Sequence, residues 1–269
     1  MSGGSTKMRE NKLRRIWADG GKTVNGWLAI PNGFSAELMA HQGFDSLTVD
    51  MQHGMVDYQA AVSMLQAVST TDTVPLVRVP WNEPGVLQKV LDAGAYGVIC
   101  PMINSRAEAE AFVSACRYPP AGSRSFGPIR ATIYGGADYP THANDEVLTL
   151  AMIETKEAME ALDSILEVPG LDGIYVGPAD LSNSLGCTPK FDQEEQKVVD
   201  AIGSIIKTAK RHNKVAGIHC GSPSYIKRMW DIGFDYATLL SDARMMAMKA
   251  GELLPELKRT AGGAKSSAY

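Results

Sequence analysis

Two acids stand out by where they fall. Glu154 closes the apolar run Ala151-Met152-Ile153, and Asp180 follows Gly173-Ile174-Tyr175-Val176-Gly177-Pro178-Ala179. In a parallel α/β protein all strands end on one face, so carboxylates at successive strand ends come to lie side by side. Two hard oxygen donors with room for water suit Mg²⁺ or Mn²⁺, and oxygen donors alone leave Co²⁺ and Zn²⁺ open. The competing reading of each acid is an N-cap for the next helix. Leu181-Ser182 after Asp180 fit that reading as well. Two such acids in succession tip the balance toward a metal site and metal-assisted enzyme chemistry.

Other strand ends add to the pair. One reads Asp50-Met51-Gln52-His53-Gly54, another Val77-Arg78-Val79-Pro80-Trp81-Asn82, a third His219-Cys220-Gly221-Ser222. A histidine gains and loses protons near neutral pH. An arginine in an apolar run needs an anionic partner, which is either a structural carboxylate or a substrate carboxylate or oxyanion. His53 is thus a catalytic candidate or a satisfied structural histidine, and Asp50 an organiser of the loop around it. Trp27 is core or pocket wall. His41, His142 and His212 fall in helix or loop text and read as surface residues, and the scattered methionines as core packing. The run from Pro119 to Gly127 resembles a glycine-rich anion cradle without P-loop spacing, and is read as a lid or barrel-mouth loop.

The elements that must position these residues alternate regularly. Strands are expected at Gly26–Ile30, Phe44–Val49, Val74–Val79, Gly97–Pro101, Leu148–Ile153, Gly173–Val176, Val215–Cys220 and Tyr236–Leu240. Helices are expected at Ser35–His41 with Ser35 as N-cap, and at Tyr58–Val68, Pro84–Ala93, Arg106–Cys116, Ala158–Ile165, Gln193–His212, Tyr225–Asp231 and Met245–Leu257. Only Tyr118–Asn144, rich in Gly, Pro, Ser and Tyr, breaks the rhythm, as a functional loop would. Eight βα units without a composition shift favour one α/β domain, a single (β/α)₈ TIM-type barrel. It would occupy 25–258, after an N-terminal tail and leading helix (1–24) and before a C-terminal tail (259–269). The runner-up is an open doubly wound sheet, against which stands the lack of G-x-G-x-x-G after the first strand.

The bulk properties agree. The chain has 269 residues, 45% of them apolar, close to the usual size of one such barrel. A net charge of −4 and a pI near 5.8 give no electrostatic reason to bind nucleic acid. No apolar run is long enough for a membrane span. The first residues contain no apolar stretch of a secretory signal, and the four cysteines form no C-x-x-C pair, so a reduced, cytoplasmic protein is expected.

Six strings in constant order carry a resemblance. They are Asp50-Met51-Gln52-His53-Gly54, Arg78-Val79-Pro80-Trp81-Asn82, Leu91-Asp92-Ala93-Gly94, Arg117-Tyr118-Pro119-Pro120-Ala121-Gly122, Ile153-Glu154-Thr155 and Val176-Gly177-Pro178-Ala179-Asp180-Leu181. From about Asn25 to Leu257 the chain resembles the metal-dependent class II pyruvate aldolases, the HpcH/HpaI-like 4-hydroxy-2-oxoheptanedioate and 2-keto-3-deoxy sugar acid aldolases. The resemblance implies a homo-hexamer, a trimer of dimers that exchange their last helix. It implies reversible cleavage of 4-hydroxy-2-oxo acids to pyruvate or hydroxypyruvate and an aldehyde, through an enolate stabilised by a divalent metal. Glu154 and Asp180 would ligate the metal, His53 would be the general base with Asp92 as its partner, and Arg78 would stabilise the enolate. The Ala179 backbone N–H would bind the substrate carboxylate and Trp27 would wall the pocket. The expected strand ends carry no lysine, which argues against a Schiff-base aldolase.

Three positions depart from the family pattern. Gln52 stands beside the base where many members have Glu. Met152 replaces a Gln two residues before the metal Glu, so a polar contact to the 2-oxo acid is lost and bulkier donors such as hydroxypyruvate gain room. His219 replaces an apolar residue near the aldehyde. Oxaloacetate decarboxylation or acyl-CoA lysis within the same superfamily is the alternative reaction, and a non-catalytic carboxylate-binding barrel is the third reading.

Overall fold

The computed structural model of the chain describes residues 8–257. Its eight strands are β1 (Thr23–Leu28), β2 (Ser46–Asp50), β3 (Val74–Arg78), β4 (Gly97–Cys100), β5 (Leu148–Ile153), β6 (Gly173–Val176), β7 (Val215–Cys220) and β8 (Tyr236–Ser241). Each hydrogen-bonds in parallel to its sequence neighbours, and β8 closes on β1. The expected (β/α)₈ barrel is therefore the observed fold. Strands β2 to β6 are buried along their whole length, as strands packed on both faces must be.

The helices outside the barrel are α1 (Lys12–Ala18), α2 (Gly33–Ala40), α3 (Tyr58–Val68), α4 (Pro84–Asp92), α5 (Arg106–Cys116), α6 (Ile129–Gly135), α7 (Tyr139–Glu146), α8 (Lys156–Glu160), α9 (Leu162–Leu166), α10 (Pro178–Ser184), α11 (Gln196–Arg211), α12 (Pro223–Asp231) and α13 (Asp242–Leu257). In α11 the buried residues Val198, Ala201, Ile202, Ile205, Ile206 and Ala209 recur at helical spacing and form the stripe that faces the sheet. Asn32, not Ser35, caps α2: its side chain accepts from the Phe34 and Ser35 amides. The single helix expected after β5 is two short ones, α8 and α9, divided at Ala161.

The segment read as a lid lies at the other end of the barrel. It joins α5 to β5, so it crosses the face where strands begin, opposite the mouth. It is also folded, around α6, α7 and one buried cation. Arg124 donates to Asp92 at 2.7 Å and to the Tyr139 hydroxyl at 3.0 Å, and its guanidinium sits 4.4 Å from the Tyr118 ring centroid. The expected anion cradle is thus a structural clamp. Its glycine-rich text reflects tight turns, and the clamp's hydrogen-bonding partners, Tyr139 and Asp92, lie 15 and 32 residues away in sequence, where a local reading could not find them.

Two irregularities shape the barrel mouth. The register of β1 against β8 shifts between Gly26 and Trp27, and Leu240 is the extra residue, with φ 50°. Such a bulge re-aims the side chains beyond it, here Trp27 and Ser241. Helix α13 meets the barrel through its first turn: Asp242 is its one buried residue among those described, while Met246, Met248, Leu253, Leu254 and Leu257 are exposed. The expected C-terminal tail, 259–269, lies outside the described residues.

Candidate active site

A cavity of about 350 Å³ opens at the ends of the strands, a size fit for a small metabolite. Trp27, His53, Arg78, Met152, Glu154, Ala179, Asp180 and His219 all line it, joined by Asp50, Tyr175, Phe191, Ser241 and Arg244. Every residue singled out above as a site candidate is therefore present except Asp92.

The floor is an ion pair on adjacent strands. Asp50 and Arg78 are register partners in β2 and β3. Arg78 donates from Nε to Asp50 Oδ1 at 2.8 Å and from Nη2 to Oδ2 at 2.7 Å. Asp50 Oδ1 also accepts from the backbone amides of Gln52 and His53, at 3.1 and 3.2 Å, which fixes the turn carrying His53. Burial alone would raise the Asp50 carboxyl; the Arg78 bonds and charge, the Trp27 indole and the His53 amide outweigh it and hold the group below the usual carboxylate range. The Arg78 guanidinium also sits 4.9 Å over the Trp27 ring. The sequence makes Asp50 an organiser of the loop. It organises the loop and holds the arginine too.

Glu154 and Asp180 enter from β5 and from the first turn of α10. Glu154 is 2% exposed, and its Oε1 accepts from the Met102 amide at 2.9 Å. Met102 holds φ 54°, a left-handed conformation that a non-glycine residue adopts at a cost and that aims the amide at the acid. Burial pushes the Glu154 carboxyl up to about 7, the Met102 amide opposes it, the negative charge of Asp180 adds to it, and Arg78 opposes it. A buried carboxylate raised by burial and by a second acid's charge is poised for a cation. Gly177 is required here, because a Cβ at that position would lie 2.4 Å from Glu154 Oε2. No side chain caps α10, which leaves the Ala179 amide at its start without a capping acceptor. Asp180 accordingly does not act as the N-cap that competed with the metal reading.

Aromatic rings form the wall. Trp27 stacks on Tyr175 at 5.7 Å between centroids and meets His219 edge-on at 5.2 Å. The Tyr175 hydroxyl bonds Thr238 Oγ1 at 2.6 Å and lies 3.3 Å from His219 Nδ1. Burial, then Arg78 and Arg244, push the His219 imidazole down to about 3 against the opposing pull of Asp50, so it is neutral at physiological pH. Met152 is buried and places only a thioether against the cavity.

Asp92 is the exception, for a topological reason. It ends α4, which runs from the mouth back to the opposite face, and there its carboxylate binds Arg124. His53 sits exposed at the mouth. The expected His53–Asp92 pair therefore does not form within one chain. Phe191, Ser241 and Arg244 were missed. Ser241 ends the eighth strand and Arg244 follows it, a strand end the sequence analysis does not use, and Phe191 sits in a loop with no periodic signal.

Comparison with known proteins agrees with this geometry. The chain is 40% identical over 248 residues to a hydroxypyruvate/pyruvate aldolase from Rhizorhabdus wittichii, covering 92% of this chain and 99% of that protein. It is 34% identical over 263 residues to a 4-hydroxy-2-oxo-heptane-1,7-dioate aldolase from Escherichia coli, covering 97% and 100%. A crystal structure of a related protein from Burkholderia cenocepacia superposes with a TM-score of 0.86 at 29% identity, covering 93% and 100%. The family model described as HpcH/HpaI aldolase/citrate lyase matches residues 26–239, from the first strand into the last, and the chain belongs to that family.

Proposed function

We propose that this protein is a divalent-metal-dependent aldolase that reversibly cleaves 4-hydroxy-2-oxo acids to pyruvate or hydroxypyruvate and an aldehyde. The observation that carries the reading is the shared cavity of an acid pair, Glu154 and Asp180, and a pre-paired arginine, Arg78. The family relatives named above as aldolases support it.

The residues fit a hard cation. Among the described residues no group of three or more His, Cys, Asp or Glu forms a metal cage. Two carboxylates completed by water and substrate oxygens suit Mg²⁺ or Mn²⁺ better than Zn²⁺, which prefers three or four nitrogen or sulfur donors. When bound, the cation would supply Lewis acidity at the 2-oxo acid.

The chain's own groups do the remaining work. The Ala179 amide receives the substrate carboxylate. Arg78, one edge fixed on Asp50, presents its other edge to the oxygen on which negative charge develops. His53 takes the proton of the C4 hydroxyl; the C3–C4 bond breaks, C4 leaves as the aldehyde carbonyl, and its bonding electrons pass to C3 of the pyruvate enolate. A proton returned to C3 completes pyruvate. Trp27 and Tyr175 close the wall against water. Met152 offers no polar contact to the donor, which suits a donor bearing a C3 hydroxyl as well as pyruvate.

If Asp92 serves His53, it does so from a neighbouring copy of the chain. The exposed apolar residues of α13, with Phe34 and Leu38 on α2, support an oligomer with an exchanged last helix. No described helix is long and apolar enough to cross a membrane. Four free cysteines suit a reducing, cytoplasmic setting.

The test is pyruvate release from 4-hydroxy-2-oxoheptanedioate and 2-keto-3-deoxy sugar acids, with EDTA and with added Mg²⁺ or Mn²⁺, beside Glu154→Ala. Metal-dependent release that the substitution abolishes is expected. Release that survives both EDTA and the substitution overturns the reading.

A further inference from the structure

Arg244 projects from the first turn of α13 into the cavity. Its guanidinium lies 4.6 Å from the centroid of the Phe191 ring, and that ring lies 4.6 Å from His219. The three side chains form one continuous wall, running outward from the barrel toward its rim.

The backbone beneath Arg244 is held firmly. Asp242, two residues earlier, is 5% exposed. Its Oδ1 accepts from the Ala29 and Ala243 amides at 2.8 and 2.7 Å, and its Oδ2 from the Ile30 amide and Ser35 Oγ, each at 3.3 Å. The start of α13 is thereby tied to the end of β1 and to α2. Phe191 restricts the side chain from one face.

What Arg244 lacks is an anion. Arg78, the other cation of fixed charge in the lining, is committed to Asp50. Glu154 and Asp180 are assigned to the metal. Among the described residues no carboxylate pairs with Arg244 and its guanidinium donates no hydrogen bond to the protein. The Phe191 face attracts the charge but accepts none of its N–H groups. Nor does helix stability explain it, since a cation in the first turn opposes the helix dipole. An anchored cation with its donors free, at the outer end of a substrate cavity, is built to meet a charge on the ligand.

We propose that Arg244 is the specificity-determining residue for the aldehyde half of the substrate, selecting 4-hydroxy-2-oxo acids whose far end carries a second carboxylate. This rests on the aldolase reading. With the 2-oxo acid end bound near Glu154, Asp180 and Arg78, the rest of the substrate extends past His219 and Phe191 and delivers its terminal carboxylate to Arg244. Planar, bidentate recognition of a carboxylate is what a guanidinium does better than an ammonium.

The experiment measures kcat/KM of the parent, Arg244→Ala and Arg244→Lys on two substrates, 4-hydroxy-2-oxoheptanedioate and the uncharged-tail 4-hydroxy-2-oxohexanoate. In Arg244→Ala the diacid-over-monoacid ratio is expected to fall about 10- to 100-fold, the loss of one charge-assisted hydrogen-bonded contact, chiefly through KM. Arg244→Lys is expected to recover part of it. A general loss of structure would lower both substrates together and leave the ratio in place. A ratio within about threefold of the parent's, in a parent active on both, overturns the assignment of Arg244 and spares the aldolase reading. A parent that releases pyruvate from neither substrate overturns both.

Discussion

Arg78 and Asp50 share two parallel hydrogen bonds, 2.8 and 2.7 Å long, across adjacent strands. Both side chains are nearly inaccessible, so each charge depends on the other. Removing one partner of a buried pair costs about 3 to 5 kcal/mol, whereas removing both costs far less. Urea denaturation should show Arg78→Met destabilised by that amount and Asp50→Asn/Arg78→Met recovering most of it. A double variant destabilised by the sum of the losses in Asp50→Asn and Arg78→Met would mean the pair is not coupled.

The same pair sets a prediction for catalysis. Lys at position 78 keeps a charge but cannot bind Asp50 with two donors and still present a third along a fixed edge. Arg78→Lys should lower kcat about 10² to 10³-fold, as for loss of one oxyanion donor, with a smaller change in KM. Steady-state kinetics on the heptanedioate substrate measures this. A variant whose only change is in KM would assign Arg78 to ground-state binding.

His219 predicts an acid limb of stability. Its folded-state value is pushed down to about 3, against 6.5 for an unburied histidine. Between those values the unfolded chain binds a proton that the folded chain refuses. Stability therefore falls as pH drops below about 6.5, by up to about 1.4 kcal/mol per pH unit, and this loss is absent above it. The charged groups facing the ring are Arg78, Asp50 and Arg244. Urea midpoints at pH 7, 6, 5 and 4 should decline less steeply in His219→Gln. Parallel declines would show that His219 titrates in the folded protein.

Much of this was legible in the sequence, and the parts that were not share a cause. Strand ends were readable because each apolar run stops at a polar residue, which located Glu154, Asp180, Arg78, His53 and His219. The limits of α3, α5, β5, β6 and β7 follow from hydrophobic period and turn residues alone. The separation of Asp92 from the cavity within one chain was not legible, because a motif names the side chain while its position depends on the direction of α4. Arg124 was read as part of a loop because its partners Asp92, Tyr118 and Tyr139 come together only in the folded chain. The bulge at Leu240 left no local signal: the register of β1 against β8 is a property of closure.

Asp92 and His53 at opposite faces of one barrel lead to the last prediction. A His53–Asp92 couple must join two subunits, and the couple is then testable by mixing. His53→Ala and Asp92→Asn should each be nearly inactive as pure assemblies. When the two chains are expressed together, some sites take His53 from the Asp92→Asn chain and Asp92 from the His53→Ala chain, and activity returns. Within-chain pairing gives no such sites, because every chain carries one lesion. Recovery requires assembly, so replacing Leu253, Leu254 and Leu257 on α13 with Asn should abolish it while sedimentation shows smaller particles. Substantial activity in pure Asp92→Asn would instead mean that Asp92 serves only Arg124, and that His53 works without a carboxylate partner.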